Sequence, residues 1–427
     1  MRYPDFIEQD YKFPGFYHIT HRFPRPQINS IPKRIKEIMA EQIADARIKS
    51  GEKMGVGVGS RDIRNIAEIT RLVCQEIKAV GAKPFLIPVM GSHGAATRSG
   101  QEKVLASLGI TPDSCGCSML SGMDATRIGM VFGEVPVYYA KDALSMDHCI
   151  CINRIKPHTK FKGTIESGIT KMLCIGMGKH LGALAYHNYA LRHGFFNLLK
   201  KLAEKVMETS NFRFGIGIVE NAYDETAQIE GLPRDSLFDK EERLLAVAKS
   251  NMPKLPLSSA DVLVLKQIGK DISGAGMDPN ITGRASDLTE DDFSENFYAK
   301  RLAVLNLSEK SNGNGLGIGN ADFITEKVFR EFNYEATLIN ALTSSSIKKA
   351  SVPIRMPDDR KAIQACFTTI GPIPANQVEA IVIKDTLNIS QCLISEALVD
   401  KVKEQKGIEI RDYLELEFDT AGNLVSL

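Results

Sequence analysis

Two rhythms of apolar residues alternate along the chain. Short, nearly unbroken apolar runs lie within Lys53–Arg61, Lys83–Met90, His148–Ile152, Arg213–Val219, Asp261–Leu265, Leu302–Leu307 and Val378–Ile383. Runs of this length, bounded by glycine or polar residues, predict strands buried on both faces. Between them the apolar residues recur every three or four positions: Ile31, Ile35, Ile38, Met39 and Ile43 around Pro32–Lys49, then Ile63, Ile66, Ile69, Val73 and Ile77 up to Val80. That spacing predicts amphipathic helices there, and again over Ser99–Leu108, Leu184–Leu202 and Ser236–Ser250. Ile128–Phe132 and Val135–Tyr139 meet at Gly133-Glu134 and predict a hairpin. The predicted fold class is therefore α/β: two domains, each a mostly parallel or mixed sheet flanked by helices, with an interdomain cleft. The proline- and serine-rich stretch Asn251–Ser259 is the best linker. It sets the expected domains at 1–255 and 256–427. Residues 1–30, rich in proline and aromatics but without a period, are expected to wrap over a domain surface.

Length and composition agree with this picture. The chain has 427 residues, 43% of them hydrophobic and 25% charged, with a formal net charge of +1. A balance so near neutral points to neither nucleic acid nor a membrane as partner. The N-terminus does not read as a signal peptide, and no apolar run approaches the length of a transmembrane helix. Eight cysteines in a chain this long do not make a disulfide scaffold. They read as small, reduced, buried residues of a cytoplasmic protein, including the two Cys-x-Cys pairs Cys115/Cys117 and Cys149/Cys151.

Chemistry concentrates in Asn153–His187. This stretch holds three of the eight histidines and a single carboxylate, Glu166, among lysines and glycines. So basic a segment between apolar elements suggests an anionic ligand, and its glycines suggest close approach of that ligand to the backbone. Upstream, the Gly-x-Gly-x-Gly turn of Lys53–Arg61 lies between a strand and a helix. That arrangement offers Gly59, the Ser60 hydroxyl, Arg61 and a helix N-terminus to a phosphate. A glycine strand packed against a helix explains the same pattern. His93 follows the predicted strand Lys83–Met90, so it would stand at a strand's carboxyl end, the edge where open α/β sheets bind ligands.

Gly91-Ser-His93, Pro157-His158, Lys171 and His187, with Gln267-x-x-Lys270 beyond the linker, together resemble the nickel-dependent lactate racemase family. The likeness runs over about residues 55 to 190 and more thinly beyond. It rests on the sixteen-residue separation of Lys171 and His187 and on the Gln-x-x-Lys pair. The chain departs from the family between His158 and Lys171, where a short glycine-rich gap is replaced by a segment carrying Lys160, Lys162 and Glu166.

The resemblance implies a racemase or epimerase of a small-molecule 2-hydroxy acid that acts by hydride abstraction. It implies a nickel-pincer nucleotide cofactor, supplied by dedicated cofactor-synthesis enzymes and attached through Lys171. His187 would be the nickel ligand, and His93 and His158 the paired acid/bases. Arg61, Ser60 and Gly59 would hold the phosphate, and Gln267 and Lys270 the substrate. The residue types suit this chemistry, since imidazole binds nickel readily and histidine exchanges protons near neutral pH. Lys160, Lys162 and Arg284 could meet a second acidic group on the substrate. Two other readings fit the residues alone. One is an NAD(P)-type dehydrogenase using the glycine turn; the other is a non-catalytic phosphate- or nucleotide-binding protein of the same fold.

Overall fold

The two rhythms fold into two α/β units in the computed structural model, which describes residues 2–60, 62–286 and 292–426. One unit spans Pro24–Met252; the other joins Met1–Phe23 to Pro253–Leu427. The chain passes between them close to the predicted linker, but the first 23 residues lie with the C-terminal unit. They do more than wrap a surface, because β1 (Phe16–His21) is an interior strand of that unit's sheet. Its two fully buried residues, Phe16 and Ile19, fall on opposite faces, so the sequence there shows no simple alternation of apolar and polar positions.

The first unit contains β2 (Lys53–Val58), β3 (Lys83–Pro88), a hairpin of β4 (Ala125–Val131) and β5 (Val135–Ala140), then β6 (His148–Arg154), β7 (Phe212–Glu220) and β8 (Thr226–Pro233). Its main sheet has the order β3-β2-β6-β7-β8. The first four strands run parallel and β8 antiparallel. On one face Met54, Val56 and Val58 pack with Ile150, Ile152 and Ile216 under the helices Ile31–Asp45 and Ile66–Ala79. On the other, Cys149, Cys151 and Ile87 lie beneath the helices Phe195–Thr209 and Leu237–Asn251. Gly55 and Gly57 point to this second face. A Cβ at Gly55 would stand 2.7 Å from Ile87 Cδ1, and one at Gly57 would stand 2.9 Å from Met177 Cε. These two glycines are therefore packing residues, as the non-ligand reading of the turn requires.

In the second unit β9 (Ser259–Leu265), β10 (Tyr298–Val304), β11 (Phe323–Thr325) and β12 (Ile354–Met356) are followed by β13 (Ala380–Ile383), β14 (Gln391–Ser395) and β15 (Ile408–Leu414). The sheet order is β12-β11-β10-β9-β13-β14-β1-β15. It is parallel from β12 to β13 and antiparallel beyond, a mixed sheet as expected. Among the described residues, no helix is long and apolar enough to cross a membrane.

The helix predicted over Leu184–Leu202 is two helices, Lys179–His193 and Phe195–Thr209, broken at Gly194 with φ 77°. Gly194 takes a positive φ, which glycine adopts at little cost.

Candidate active site

In the first unit's main sheet the chain leaves β2 toward β3 on one side and later adds β6 on the other. Loops diverge at such a reversal and leave a crevice at the carboxyl edge. Gly59 follows β2 there, and a Cβ on it would stand 3.0 Å from Oδ1 of the buried Asn153, near the end of β6. The glycine thus lets two strand ends approach. Ser60 comes next, with its Oγ 2.5 Å from His93 Nδ1. A hydroxyl both donates and accepts, so it can hold this ring whichever nitrogen carries the proton. Arg61 lies outside the described residues. The expected helix N-terminus is set back: the helix begins at Ile66, and Glu220 accepts the Arg64 N–H at 2.7 Å.

His93 is exposed and stands on a strained loop after β3. Ala95 and Ala96 both have left-handed φ, 56° and 52°, each a cost of about 1 kcal/mol that the surroundings must offset. Part of the offset comes from a buried brace. Gln101 Nε2 donates to the carbonyls of Gly91 (3.0 Å) and His93 (3.3 Å). Lys179, fully buried, donates to Pro88 O at 2.7 Å and Gln101 Oε1 at 3.4 Å. Burial pulls the Lys179 amine down to about 8, although the charge of Asp142 acts in the other direction. The loop also rests on the helix Lys179–His193, since a Cβ at Gly91 would stand 3.4 Å from Ala183 Cβ. Ala183 and His187 are four residues apart and share a helix face.

His158 follows β6. Its Nδ1 accepts the Lys160 N–H at 3.1 Å, and its Nε2 lies 3.0 Å from Lys171 Nζ. With Nδ1 accepting, a neutral ring carries its proton on Nε2. Phe161 stacks on the His158 ring at 4.4 Å between centroids. Lys160 is buried, with Nζ 4.8 Å over the Phe195 ring.

The segment that departs from the resembled family is closed by a bridge between Lys156 and Ser167. Buried Glu166 holds it together. It accepts the N–H groups of His158 (2.7 Å) and Gly163 (3.2 Å) and pairs with Lys249 Nζ at 2.6 Å.

Lys171 ends the one-turn helix Ile169–Lys171, which passes into a π-helical turn, Met172–Gly176. Wide turns of this kind are frequent at functional sites. Glu241, buried on the helix Leu237–Asn251, accepts the Thr170 N–H at 3.0 Å and its hydroxyl at 2.6 Å. Burial pushes the Glu241 carboxyl up to about 7 against those hydrogen bonds. Gly168 makes room for it, since a Cβ there would stand 1.9 Å from Glu241 Oε1. Gly176, Gly178 and Gly182 likewise serve close packing: a Cβ would meet Val89 O at 2.8 Å, Cys174 O at 2.3 Å and Cys174 O at 2.7 Å respectively. The glycines of this stretch that were expected to admit a ligand thus admit neighbouring chain at these positions.

His187 Nδ1 is buried and has no hydrogen-bond partner among the described residues. Burial first, then the charges of Lys160 and Lys171, lower the His187 pKa to about 4. Burial alone acts in that direction, so the ring stays neutral in either form of Lys171. Titration of the histidine ring signals by NMR is expected to give His187 a midpoint near 4, below the ordinary 6.5. Between those values the unfolded chain binds a proton that the folded one refuses. The contribution of His187 to stability is therefore full above about pH 6.5 and is lost as the pH falls toward 4. A midpoint near 6.5 would remove this assignment.

His158, Lys160, Lys171 and His187 thus gather in one place, while His93 and Ser60 form a pair at the same sheet edge. In the other unit Gln267 and Lys270 lie past the carboxyl end of β9. Gln267 Nε2 donates to Asp385 Oδ2 at 3.0 Å, and Lys270 Nζ to Gly274 O at 2.8 Å. Arg284 pairs with Asp322 at 2.9 Å and donates to Ala299 O at 2.9 Å, which makes it a structural residue. Among the described residues, no group of three or more His, Cys, Asp or Glu side chains is arranged to hold a metal ion. Glu241, Gln101, Lys179 and Lys249 had no local signal in the sequence. Glu166 had one, as the only carboxylate in a basic stretch.

The fold class is a two-domain α/β fold. No protein-family model matches the chain, and no curated protein matches it. Among solved structures it is similar to that of the lactate racemase apoprotein from Thermoanaerobacterium thermosaccharolyticum. The TM-score is 0.55 and the identity 12%, over 88% of this chain and 99% of that one. At that identity the likeness is one of fold.

Proposed function

We propose that this protein is a racemase or epimerase of a 2-hydroxy acid that works with a nickel-pincer nucleotide. The observation that carries the reading is the convergence on Lys171. Its amine lies 3.0 Å from His158 Nε2, and both it and Lys160 act on a histidine whose Nδ1 is buried without a partner. A lysine to bear the cofactor, a base and a nickel ligand would need such a grouping.

The residues fit the group on this chain's own chemistry. An imidazole held neutral by burial can coordinate a metal without first losing a proton. The orphaned Nδ1 would gain a partner by binding. Lys171 would hold the cofactor covalently, His187 its nickel, and Ser60 and Gly59, with Arg61, its phosphate. When bound, the cofactor supplies a reversible acceptor for hydride.

The other steps belong to the protein. His158 would take the hydroxyl proton of one enantiomer at Nε2 once Lys171 is engaged elsewhere and the ring's own proton has moved to Nδ1, displacing the Lys160 N–H there. His93 would do so for the mirror image, because inversion needs a base on each side. The Ser60 hydroxyl would steady the His93 ring in both tautomers. Lys160, buried beside His187, adds positive charge that favours a carboxylate.

The test uses protein made together with cofactor-synthesis enzymes. It is expected to carry nickel and to erode the optical purity of at least one acid in a panel of chiral 2-hydroxy acids. Nickel-loaded protein that leaves every acid unchanged would overturn the reaction. Protein from that preparation with neither nickel nor an adduct would overturn the cofactor.

A further inference from the structure

The chain holds two Cys-x-Cys pairs, and the fold gives them opposite surroundings. Cys149 and Cys151 are fully buried in β6, and burial pushes the Cys149 thiol up to about 12 and Cys151 well above its ordinary value. Neither is poised to react.

Cys115 ends the short helix Pro112–Cys115. Gly116, left-handed at φ 60°, then turns the chain so that Cys117 Sγ comes 3.8 Å from Cys74 Sγ. Cys74 lies on the helix Ile66–Ala79, about 12 Å from its start at 1.5 Å per residue. Cys74 and Cys115 are buried, whereas Cys117 is partly exposed.

Cations surround this trio. Lys78 Nζ donates to the carbonyls of Cys115 (3.1 Å) and Gly116 (2.5 Å), and Arg71 lies one turn before Cys74 on the same helix. A hydrogen bond shared with Cys74, the neighbouring Ser114 and the charges of Lys78 and Arg71 draw the Cys115 thiol down to about 7, against burial. Contact with Cys74 lowers Cys117 as well, and Cys74 itself is raised by those same contacts with Cys115 and Cys117. The contacts thus push Cys74 toward the thiol and draw Cys115 and Cys117 toward the thiolate.

We propose that Cys74, Cys115 and Cys117 form an oxidation-responsive thiol site in which a hydroperoxide oxidises Cys117 and Cys74 resolves it as a disulfide. The Cys117 thiolate attacks the peroxide, the O–O bond breaks, and the departing alkoxide takes a proton from water to leave as an alcohol. Cys117 becomes a sulfenic acid. The Cys74 sulfur then attacks the Cys117 sulfur, the S–O bond breaks, and the Cys74 proton leaves with the hydroxyl as water. Two thiols and one hydroperoxide give one disulfide, one alcohol and one water. The sulfurs must close from 3.8 Å to about 2.05 Å, a movement that falls on the partly exposed Cys117 beside the Gly116 turn.

This inference does not rest on the proposed racemase activity, and its test needs no cofactor. The full-length protein is treated with stepwise tert-butyl hydroperoxide, alkylated and digested. The expected result is an intact mass lower by two hydrogens, a peptide pair joining Cys74 to Cys117, and reversal by dithiothreitol. Cys117→Ser should abolish the pair, and Cys115→Ser should leave it. If Cys117→Ser folds poorly, the order of oxidation in the unaltered protein decides, with Cys117 reacting before Cys149 and Cys151. A bridge between Cys115 and Cys117 instead, or oxidation of Cys117 no faster than of the β6 pair, would overturn the proposal.

Discussion

Lys171→Ala protein made alongside cofactor-synthesis enzymes is expected to show no covalent mass increment, no retained nickel and no racemisation. The amine is the group proposed to form the bond, and the fold aims it. The Thr170 N–H and hydroxyl are held by buried Glu241, and Nζ lies 3.0 Å from His158 Nε2. Lys171→Arg should fail equally, because a guanidinium stays protonated and offers no lone pair. Both variants should fold normally, since Lys171 is only partly buried and substitutions at such positions usually change stability by less than about 1 kcal/mol. By contrast His93→Ala and His158→Ala should keep the mass increment yet lower the rate by about 10²- to 10⁴-fold each, the usual worth of a positioned acid or base. Intact mass and a chiral assay separate the two behaviours. Full activity in Lys171→Ala would end the cofactor assignment, and soluble dinucleotide binding by that variant would favour a dehydrogenase.

Glu166→Ala is expected to be the most damaging single change in the loop Lys156–Ser167. The carboxylate is 2% exposed and accepts two backbone N–H groups, from His158 and Gly163. Removing it leaves both donors without that acceptor, at about 1–3 kcal/mol each. Its partner Lys249 is 45% exposed on its side chain, so water can serve that ammonium and little is added there. A loss of roughly 2–6 kcal/mol in a unit of this size lowers Tm by about 4–24 °C. Because the His158 N–H is one of the two donors, the ring should also lose its fixed position, and activity should fall with stability. Glu166→Gln keeps one acceptor oxygen and should recover part of both. A melting curve for Glu166→Ala unchanged within about 1 °C would show that the segment does not depend on this hub.

The α/β class, most strands and the major helices were legible because periodicity is a local property. Whether Val56 and Val58 share a face follows from the pleat whatever the rest of the chain does. The same reasoning located His93 and Ser60 after strands. It failed at residues 1–30, where the buried residues of β1 fall on both faces and leave no alternation, and at Gly55 and Gly57, where a ligand loop and close packing leave the same signature.

What the sequence determined by itself is the set of reactive residues and the end of the strand or helix on which each would fall. Only the tertiary structure decided which of them meet and what each neighbour does to the other. Thr170 and Glu241 are 71 residues apart, and Cys74 and Cys117 are 43 apart. Long-range strand order brings such pairs together, and no local spacing encodes it. Burial, which keeps His187 neutral and holds the Cys149 and Cys151 thiols protonated, likewise exists only once the layers have closed.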